Sequence, residues 1–370
     1  MTRIHDLYEQ YQQSPWLDNL RRGWLTSGEL QAWVDRGVRG ITSNPTIFQK
    51  AIEGGDAYDA QFRSLVGEGE GIEAAYWNLV TSDIRDALAI LRPVYDSSDG
   101  VDGFVSLEVA PSLAGDSTGT EQAARQLHEQ IDEPNLYVKI PGTAAGVPAI
   151  KAMFVEGRSI NITLLFSISR YEEVIEAYLS GLEERVSAGQ DVTKVRSVAS
   201  FFVSRVDTEV DRRLDEIGTD AARALKGKAA VANAQVAYER FKVHFSGPRW
   251  EALAGKGAKV QRPLWASTST KNPDYPDTLY VDSLIGPDSV NTLPDKTIDA
   301  FDDHGHMART IDADPDVAQK TLDDLAGVGI DLDDATRVLE DEGVASFSKS
   351  FDELITSLGA KADSFRSGGS

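Results

Sequence analysis

Cysteine is absent from the 370 residues of this chain, and histidine is scarce, with five in all. The missing thiols exclude disulfide bonds, cysteine nucleophiles, cysteine-ligated zinc and iron–sulfur clusters. The few histidines give little support to a metalloenzyme, although Asp303, His304 and His306 lie close together in the sequence. We interpret these three residues as a surface turn and expect no metal site.

Positive charge is also in short supply, since 37 Lys and Arg face 59 Asp and Glu and the net charge is −22. Such acidity opposes nucleic-acid binding in general. No uncharged apolar run approaches the roughly 20 residues of a membrane span. The N-terminal MTRIHDLYEQYQQ is polar and helical in pattern, which is not typical of a secretory signal. We therefore expect a cytoplasmic protein that binds neither nucleic acid nor membranes.

Apolar runs typical of strands alternate with helical patterns through most of the chain. The predicted strands are 14–19, 37–42, 103–109, 135–140, 159–165, 195–203, 261–266 and 278–284. The predicted helices are 28–36, 72–95, 120–131, 147–156, 169–188, 207–217 and 220–245, and Ser169 with Glu172 predicts a capping box. This alternation is typical of parallel strands joined by right-handed crossovers and predicts a (β/α)8 barrel of the α/β class. An open doubly wound sheet is the alternative, although no GxGxxG follows the first strand and no GxxxxGK[ST] occurs.

The C-terminal part of the chain is helical in pattern, at 297–304, and strongly acidic after about 311. We predict one barrel domain over 1–365 with extra helices from about 311, and a disordered tail at 366–370. The sequence leaves open whether the extra helices cover the barrel mouth, close its bottom or form a dimer contact. Monomer and homodimer are both compatible with it.

Polar residues gather at the carboxyl ends of the predicted strands, which face a common mouth in such a barrel. They are Asp18, Thr42, Asn44, Glu108, Lys139, Asn161, Thr163, Ser200, Arg205, Ser267 and Ser269. Because unpaired buried charge is costly, these groups must either pair with one another or meet a substrate.

Lys139 is the most unusual of these residues, since it interrupts the apolar run LYVKI. An edge strand, a stem that reaches water, or an ion pair with Glu108 would explain it without chemistry. Attack on a carbonyl needs a neutral amine, and an ordinary lysine with a pKa of about 10.4 is neutral in only about 1 of 2500 molecules at pH 7. An apolar strand favours the neutral form by desolvation. We therefore predict a Schiff base on Lys139, which is an electron sink for cleaving a C–C bond beside a carbonyl.

Such chemistry also needs carboxylates in separate environments, and Asp18 and Glu108 fit because they lie on different strands. Thr163 is predicted to hold a water between Glu108 and the amine. Asn44 and Asn161 are suited to sugar hydroxyls, as neutral donors and acceptors.

Arg205, Ser267 and Lys271 are predicted to bind an anion, because Arg205 offers a bidentate donor pair. Purely structural roles remain as alternatives. Asp18 suits a cap or turn, Asn44 suits an Asx turn before proline, and Arg205 suits a salt bridge within its own helix.

Several long blocks of the sequence are similar to transaldolase. They are ITSNPTIFQKAI (41–52), VSLEVAP (105–111), YVKIPGTAAGVPAI (137–150), INITLLFSISRYEEVIEAYLSGLE (160–183), SVASFFVSRVDTEVD (197–211) and PLWASTSTKNPDYPDTLYVDSLIGPDSVNT (263–292). The resemblance covers about 4–310, and the order and spacing of the blocks make it specific. The chain looks most like the longer bacterial transaldolases of actinobacterial type.

This resemblance implies a class I aldolase barrel whose Schiff-base lysine is Lys139. It implies that Asp18 is the acid–base aspartate and that Glu108 and Thr163 match the family's glutamate and water-holding threonine. The predicted substrate-binding residues are Thr42, Asn44, Asn161, Ser200, Phe202, Arg205, Ser267 and Lys271. Many members have a second phosphate-binding arginine where this chain has Ser269. Lys271 is the predicted substitute, and its ammonium group would replace the bidentate guanidinium of arginine.

The implied reaction belongs to the non-oxidative pentose phosphate pathway and needs neither a metal nor an organic cofactor. It moves a dihydroxyacetone unit from sedoheptulose 7-phosphate to glyceraldehyde 3-phosphate, giving erythrose 4-phosphate and fructose 6-phosphate, reversibly. A lyase similar to fructose-6-phosphate aldolase, releasing free dihydroxyacetone, is one alternative. A non-catalytic barrel that binds sugar phosphates is the other.

Overall fold

Eight parallel strands close into a barrel in the computed structural model, which describes residues 2–367. In chain order they are β1 (Gln13–Leu17), β2 (Gly40–Thr42), β3 (Phe104–Glu108), β4 (Leu136–Pro141), β5 (Ile160–Leu165), β6 (Ser197–Phe202), β7 (Gln261–Ala266) and β8 (Ser289–Leu293). Each strand pairs with the next, and β8 returns to β1 with Gln13 opposite Ser289 and Leu17 opposite Leu293. The predicted (β/α)8 barrel is confirmed, and the open sheet is excluded because the first and last strands pair.

Helices surround this barrel and cover its strands, every one of which is buried along its whole length. In chain order they are α1 (Arg3–Tyr11), α2 (Arg22–Ser27), α3 (Glu29–Asp35), α4 (Pro45–Glu53), α5 (Asp59–Gly67), α6 (Ile72–Ser97), α7 (Ser117–Ile131), α8 (Gly146–Val155), α9 (Ile168–Ser187), α10 (Ser204–Ile217), α11 (Asp220–Arg223), α12 (Ala229–His244), α13 (Gly247–Ala254), α14 (Leu279–Asp282), α15 (Asp295–His304), α16 (Pro315–Gly327) and α17 (Leu332–Ser367).

The predicted eighth strand, 278–284, is wrong. That segment contains the short helix α14, and its apolar pattern comes from Tyr280 and Val281, which are buried against the barrel. The true eighth strand has the sequence SVNTL, and its Asn291 and Thr292 are buried. Because polar side chains fill this part of the barrel interior, the apolar run by which a strand is recognised is missing.

Two helix starts also differ from the sequence predictions. α9 is capped by Ser167, whose Oγ accepts from the amide of Arg170 at 3.1 Å, so the capping box predicted at Ser169 is wrong. α4 was not predicted at all. Its N-cap is Asn44, whose Oδ1 accepts from the amide of Ile47 at 2.9 Å, and Pro45 occupies the first helical position. The same Asn-Pro pair that favours a turn also starts a helix well.

The C-terminal helix α17 lies across the carboxyl ends of the strands. It packs on α4, where the hydroxyls of Thr46 and Ser350 are 2.8 Å apart. It approaches β5 closely at Gly343, where a Cβ would lie 2.9 Å from Cδ2 of Leu164. Of the three roles left open by the sequence, this helix therefore has that of covering the mouth, whereas a dimer contact stays a prediction. The backbone of α17 is described to Ser367, and the last residues of the predicted tail, 368–370, lie outside the described residues.

Two features are absent from residues 2–367. No helix in this range is long and apolar enough to cross a membrane. The same range contains no group of three or more His, Asp and Glu side chains arranged to hold a metal ion. His304 instead pairs with Asp277, with Nε2 and Oδ1 2.9 Å apart, at the surface.

Candidate active site

A pocket of about 130 Å³ lies at the carboxyl ends of the strands. The predicted site residues that line it are Asp18, Thr42, Asn44, Lys139, Thr163, Ser200, Phe202, Arg205, Ser267 and Lys271. It is continuous with an outer cleft of about 460 Å³, since the two share Asp18, Asn44, Arg205 and Lys271. The remaining predicted residues, Glu108 and Asn161, do not line this pocket but lie directly beside residues that do.

Lys139 occupies the centre of this arrangement, on β4, and is 4% exposed. The register of the barrel places it opposite Glu108 on one side and Asn161 on the other. Its Nζ donates to the carbonyl oxygen of Ser43 at 2.9 Å and lies 3.1 Å from Oε2 of Glu108. The ion pair considered as an alternative is therefore present, and it brings a carboxyl group to the amine.

The Glu108 carboxyl is buried beside β4, and this burial raises its pKa. The charge of Lys139 opposes that shift, and the charge of Asp18 adds to it. Oε1 of Glu108 has no hydrogen-bond partner among the described residues. A carboxyl whose pKa is raised holds a proton more readily, so Glu108 can take a proton from a neighbouring group and return it. The Lys139–Glu108 contact can thus serve as an acid–base pair as well as an ion pair.

Asp18 follows β1 and faces the same pocket. The hydroxyl of Thr42 donates to Oδ1 of Asp18 at 2.8 Å and lies 2.6 Å from the hydroxyl of Thr292, which donates in turn. Burial raises the pKa of Asp18, and the hydrogen bond from Thr42 and the charge of Lys139 act in the opposite direction. Raised carboxyl pKa values are typical of groups that exchange protons with a substrate. Thr292 was missed by the sequence analysis because the eighth strand was misplaced.

Thr163 lies at a bulge in β5, where the register with β6 shifts between Ile162 and Leu165. The next residue, Leu164, has φ of +59°, which is an unusual conformation for a bulky side chain and is typical of functional sites. The hydroxyl of Thr163 is buried and has no hydrogen-bond partner among the described residues. It lines the pocket together with Lys139 and is therefore available to a substrate or a water molecule.

Asn161 lies opposite Lys139 on β5, does not line the pocket and is fully buried. Its Nδ2 donates to Oγ of Ser106 at 3.0 Å, and its Oδ1 accepts from Oγ of Ser200 at 2.7 Å. Both ends of the amide are thus engaged by the protein. Ser200 reaches the pocket wall, so Asn161 acts on the pocket through Ser200 and through its position beside Lys139.

Arg205 lies in the first turn of α10, with its guanidinium 5.3 Å from the centre of the Phe202 ring. The salt bridge within α10 that was considered as an alternative does not form. Glu209 pairs with Arg212 and Arg213, and Asp207 accepts from the amide of Ala230 and the hydroxyl of Tyr280. Among the described residues Arg205 has no ion-pair partner within 4.0 Å, and the carboxylates of Glu342 and Asp18 act on it only from a greater distance, so its donors are free to bind an anion.

Lys271 lies in the loop after β7 and contributes a second positive charge to the pocket wall. Its Nζ donates to Oγ of Ser269 at 2.7 Å. Lys271 is exposed on its outer side, but partial desolvation at the pocket wall lowers its pKa, and the positive charge of Arg205 acts in the same direction. Ser267 lines the same pocket with φ of +55°, and its Oγ lies 2.9 Å from Oγ of Ser204, the residue before Arg205. One end of the pocket therefore combines two cations and a hydroxyl in an otherwise acidic protein.

Phe347 of α17 also lines the pocket, and it was not predicted. No local signal in the sequence marks it, because its place depends on how α17 crosses the mouth. Ser43 was missed for a similar reason, since it acts through its backbone carbonyl.

Known proteins share much of the sequence of this chain. The sequence pattern of the family described as Transaldolase/Fructose-6-phosphate aldolase matches residues 15–358. A transaldolase of Mycolicibacterium smegmatis is 50% identical over 352 residues, which cover 95% of each chain. Transaldolases of Mycolicibacterium paratuberculosis and Frankia alni are both 51% identical over 345 residues, covering 92% and 93% of each chain, respectively. By these matches, and as its sequence blocks had indicated, the chain belongs to the transaldolase/fructose-6-phosphate aldolase family.

Proposed function

We propose that this protein is a transaldolase that transfers a dihydroxyacetone unit between sugar phosphates through a Schiff base on Lys139. The observation that carries the proposal is the 3.1 Å contact between the buried Nζ of Lys139 and the carboxyl of Glu108. An anion-binding barrel without catalysis would have no need for a buried amine beside a carboxyl of raised pKa. The names of the relatives support the same reaction.

The first stage is attack of Lys139 on the C2 carbonyl of the donor ketose. With the proton held on Glu108, the amine lone pair adds to the carbonyl carbon and a carbinolamine forms. Loss of water from the carbinolamine needs a proton on the departing hydroxyl, and Glu108 is the nearest acid. The unpaired hydroxyl of Thr163 would hold the water that carries this proton between Glu108 and the reacting carbon.

The second stage is cleavage of the C3–C4 bond. Asp18 removes the proton of the C4 hydroxyl, the C3–C4 electrons move into the iminium, and an aldose phosphate leaves. The three-carbon enamine stays on Lys139 until a second aldose phosphate enters. Its aldehyde carbon is attacked by the enamine, and Asp18 returns the proton to the new hydroxyl. The raised pKa of Asp18 suits a group that must both accept and return a proton.

Arg205, Lys271 and Ser267 would bind the phosphate that donor and acceptor have in common. We propose sedoheptulose 7-phosphate and fructose 6-phosphate as donors, and glyceraldehyde 3-phosphate and erythrose 4-phosphate as acceptors. The outer cleft adds Arg21 and Lys50 to the cations around the entrance, which favours anionic sugars in a protein of net charge −22.

Trapping of the Schiff base tests this proposal directly. The protein is incubated with fructose 6-phosphate, reduced with borohydride, digested and examined by peptide mass spectrometry. We expect a three-carbon adduct on Lys139, no adduct in Lys139→Met, and an unchanged adduct in Lys151→Met, whose lysine pairs with Glu184 on the outer helices. A folded wild-type protein with no adduct on any lysine would overturn the proposal.

The acceptor requirement is measured in the same assay. A transaldolase retains the three-carbon unit until an aldose phosphate is added, whereas a lyase releases dihydroxyacetone without one. If free dihydroxyacetone is released without an acceptor as fast as the unit is transferred with one, the protein is a lyase and the proposed transferase activity is wrong.

A further inference from the structure

The loop that carries Lys271 joins β7 to α14 over 267–278, and we call it the Lys271 loop. Several of its residues are exposed, including Lys271 itself, Pro273 and Asp274. Its internal hydrogen bonds are short-range, such as the amides of Asp274 and Tyr275 donating to Asn272. Such a loop needs an anchor elsewhere if Lys271 is to stay at the pocket wall.

Tyr275 provides that anchor. Its hydroxyl donates to Oδ2 of Asp211, a residue of α10 that is 9% exposed. The other oxygen of Asp211, Oδ1, accepts from the amide of Gly227 at 2.9 Å. The ring of Tyr275 lies against Gly227, where a Cβ would come within 2.7 Å of the ring carbon Cζ. One buried carboxylate therefore joins three segments, namely α10, the turn before α12 and the Lys271 loop.

The same helix carries Arg205 in its first turn, six residues before Asp211. Six residues of α-helix span about 9 Å, so the guanidinium and the anchor belong to one rigid element. Tyr275 in turn is only four residues from Lys271 along the loop. The hydrogen bond between Asp211 and Tyr275 thus joins the loop that carries Lys271 to the helix that carries Arg205.

We propose that Asp211 and Tyr275 are positioning residues, which hold the Lys271 loop against α10 so that Lys271 and Arg205 can bind one phosphate together. The identification of that phosphate as the group of a sugar substrate rests on the proposed function. The positioning of the two cations does not.

The chain offers a matched control in a second tyrosine–aspartate bond. The hydroxyl of Tyr280 donates to Oδ2 of Asp207 at 2.8 Å, again onto α10. Tyr280 belongs to α14, beyond the Lys271 loop, and does not line the pocket. Removal of its hydroxyl alters the same helix by the same chemistry without releasing Lys271.

The test is the binding of inorganic phosphate to the full chain, measured by calorimetry for the wild type, Tyr275→Phe and Tyr280→Phe. We expect the phosphate Kd to rise roughly three- to tenfold in Tyr275→Phe, which is the range for loss of one hydrogen bond, and to stay constant in Tyr280→Phe. With sugar substrates the same increase should fall on KM for a phosphorylated acceptor rather than on kcat, and KM for unphosphorylated glyceraldehyde should not rise. Asp211→Asn is the second variant and should act in the same direction.

A double-mutant cycle with Lys271→Met shows whether the effect passes through Lys271. In the Lys271→Met background, Tyr275→Phe should weaken phosphate binding no further. An unchanged Kd in folded Tyr275→Phe, or an equal loss with and without Lys271, would overturn the inference. Failure of the trapping experiment together with weakened phosphate binding in Tyr275→Phe would reject the proposed function and keep the positioning role.

Discussion

Buried charges occur at both ends of this barrel, and the two clusters differ in how well they are paired. At the amino ends of the strands, Asp102 is fully buried and accepts hydrogen bonds from Arg39, Arg262, Ser14 and Trp16. We call this group the floor cluster. Burial alone would raise the pKa of Asp102, but the charges of Arg262 and Arg39 outweigh it and hold the pKa below its ordinary value.

At the carboxyl ends, Asp18, Glu108, Lys139 and Thr163 form what we call the mouth cluster. Here burial prevails, and the pKa values of both carboxyls are raised. Among the described residues Glu108 has one ion-pair partner, Lys139, and the hydroxyl of Thr163 has no hydrogen-bond partner.

The difference shows how one fold separates stability from chemistry. A buried carboxylate that accepts several hydrogen bonds is stable in its ionised form, and those bonds link the segments around it. A buried carboxyl with few donors can change its protonation state during a reaction, at a cost in stability that the rest of the barrel must offset. The barrel therefore contributes stability at its floor and reactivity at its mouth, as is usual for this architecture.

The largest expected effect is the loss of activity in Lys139→Met. We expect transfer to fall by at least about 10⁴-fold, equivalent to roughly 5.5 kcal/mol in the barrier, because the other pocket amine, Lys271, donates to Ser269 at the proposed phosphate end and has no carboxyl partner like Glu108. A coupled enzyme assay gives the rate of transfer, and circular dichroism shows whether the variant is folded. Lys271→Met is the control, since it removes a pocket lysine without removing the nucleophile and should raise KM. Substantial activity in folded Lys139→Met would contradict the assignment.

The corresponding change at the floor is Asp102→Ala, and it should act on stability instead. Removing the carboxylate leaves Arg39 and Arg262 without their buried partner, so the free energy of unfolding should fall by roughly 3–5 kcal/mol. Urea unfolding gives this value, and the rate per folded molecule should stay close to that of the wild type. If Asp102→Ala has the stability of the wild type, the floor cluster contributes little to the free energy of unfolding. If the variant loses rate but not stability, the floor cluster takes part in catalysis.

The mouth could be predicted from the sequence much better than the floor. Lys139 and Glu108 are polar interruptions of apolar strands, and the alternation of strands and helices alone brings such strand ends together. Asp102 lies in a polar turn, SSDGVDG, where acids are common. Its partners Arg39 and Arg262 are 63 and 160 positions away, so only the closed barrel reveals the cluster.

The errors also have physical causes. Thr292 was missed because β8 is a short polar strand whose side chains are satisfied inside the barrel, for example by Thr42. The crossing of α17 over the mouth was left open because it depends on tertiary contacts such as that of Gly343 with Leu164. Local patterns identify the residues on regular strands, and they fail where long-range packing decides.

A smaller effect, confined to the mouth, is expected for Thr163→Val. We expect kcat to fall about 10- to 100-fold, because the substitution removes the hydroxyl proposed to hold the water beside Glu108. The free energy of unfolding should be unchanged or slightly higher, since the lost hydroxyl makes no hydrogen bond with the described residues.

Thr120→Val is the matched control for this substitution. Thr120 is also buried, but its hydroxyl donates to the carbonyl of Leu113 at 2.8 Å, far from the pocket. It should lose roughly 1 kcal/mol of stability and keep its kcat. Equal behaviour of the two variants would remove Thr163 from the mechanism.

The smallest effects, and the most direct comparison of the two clusters, come from stability as a function of pH. The pKa of Asp102 is lower in the folded protein than the ordinary value of about 3.9, so its stabilising contribution is complete above that pH and is lost as the pH falls below it. The pKa of Glu108 is higher than the ordinary value of about 4.3, so its ionisation increasingly opposes folding as the pH rises above that value.

Asp102→Asn and Glu108→Gln should therefore depart from the wild type with opposite slopes. As the pH rises from about 3 to 7, Asp102→Asn should become less stable relative to the wild type, and Glu108→Gln should become more stable relative to it. Urea unfolding of the three proteins across this range measures both slopes. Slopes of the same sign would mean that folding shifts the pKa values of both carboxyls in the same direction, and the division between a paired floor and a reactive mouth would then have to rest on position alone.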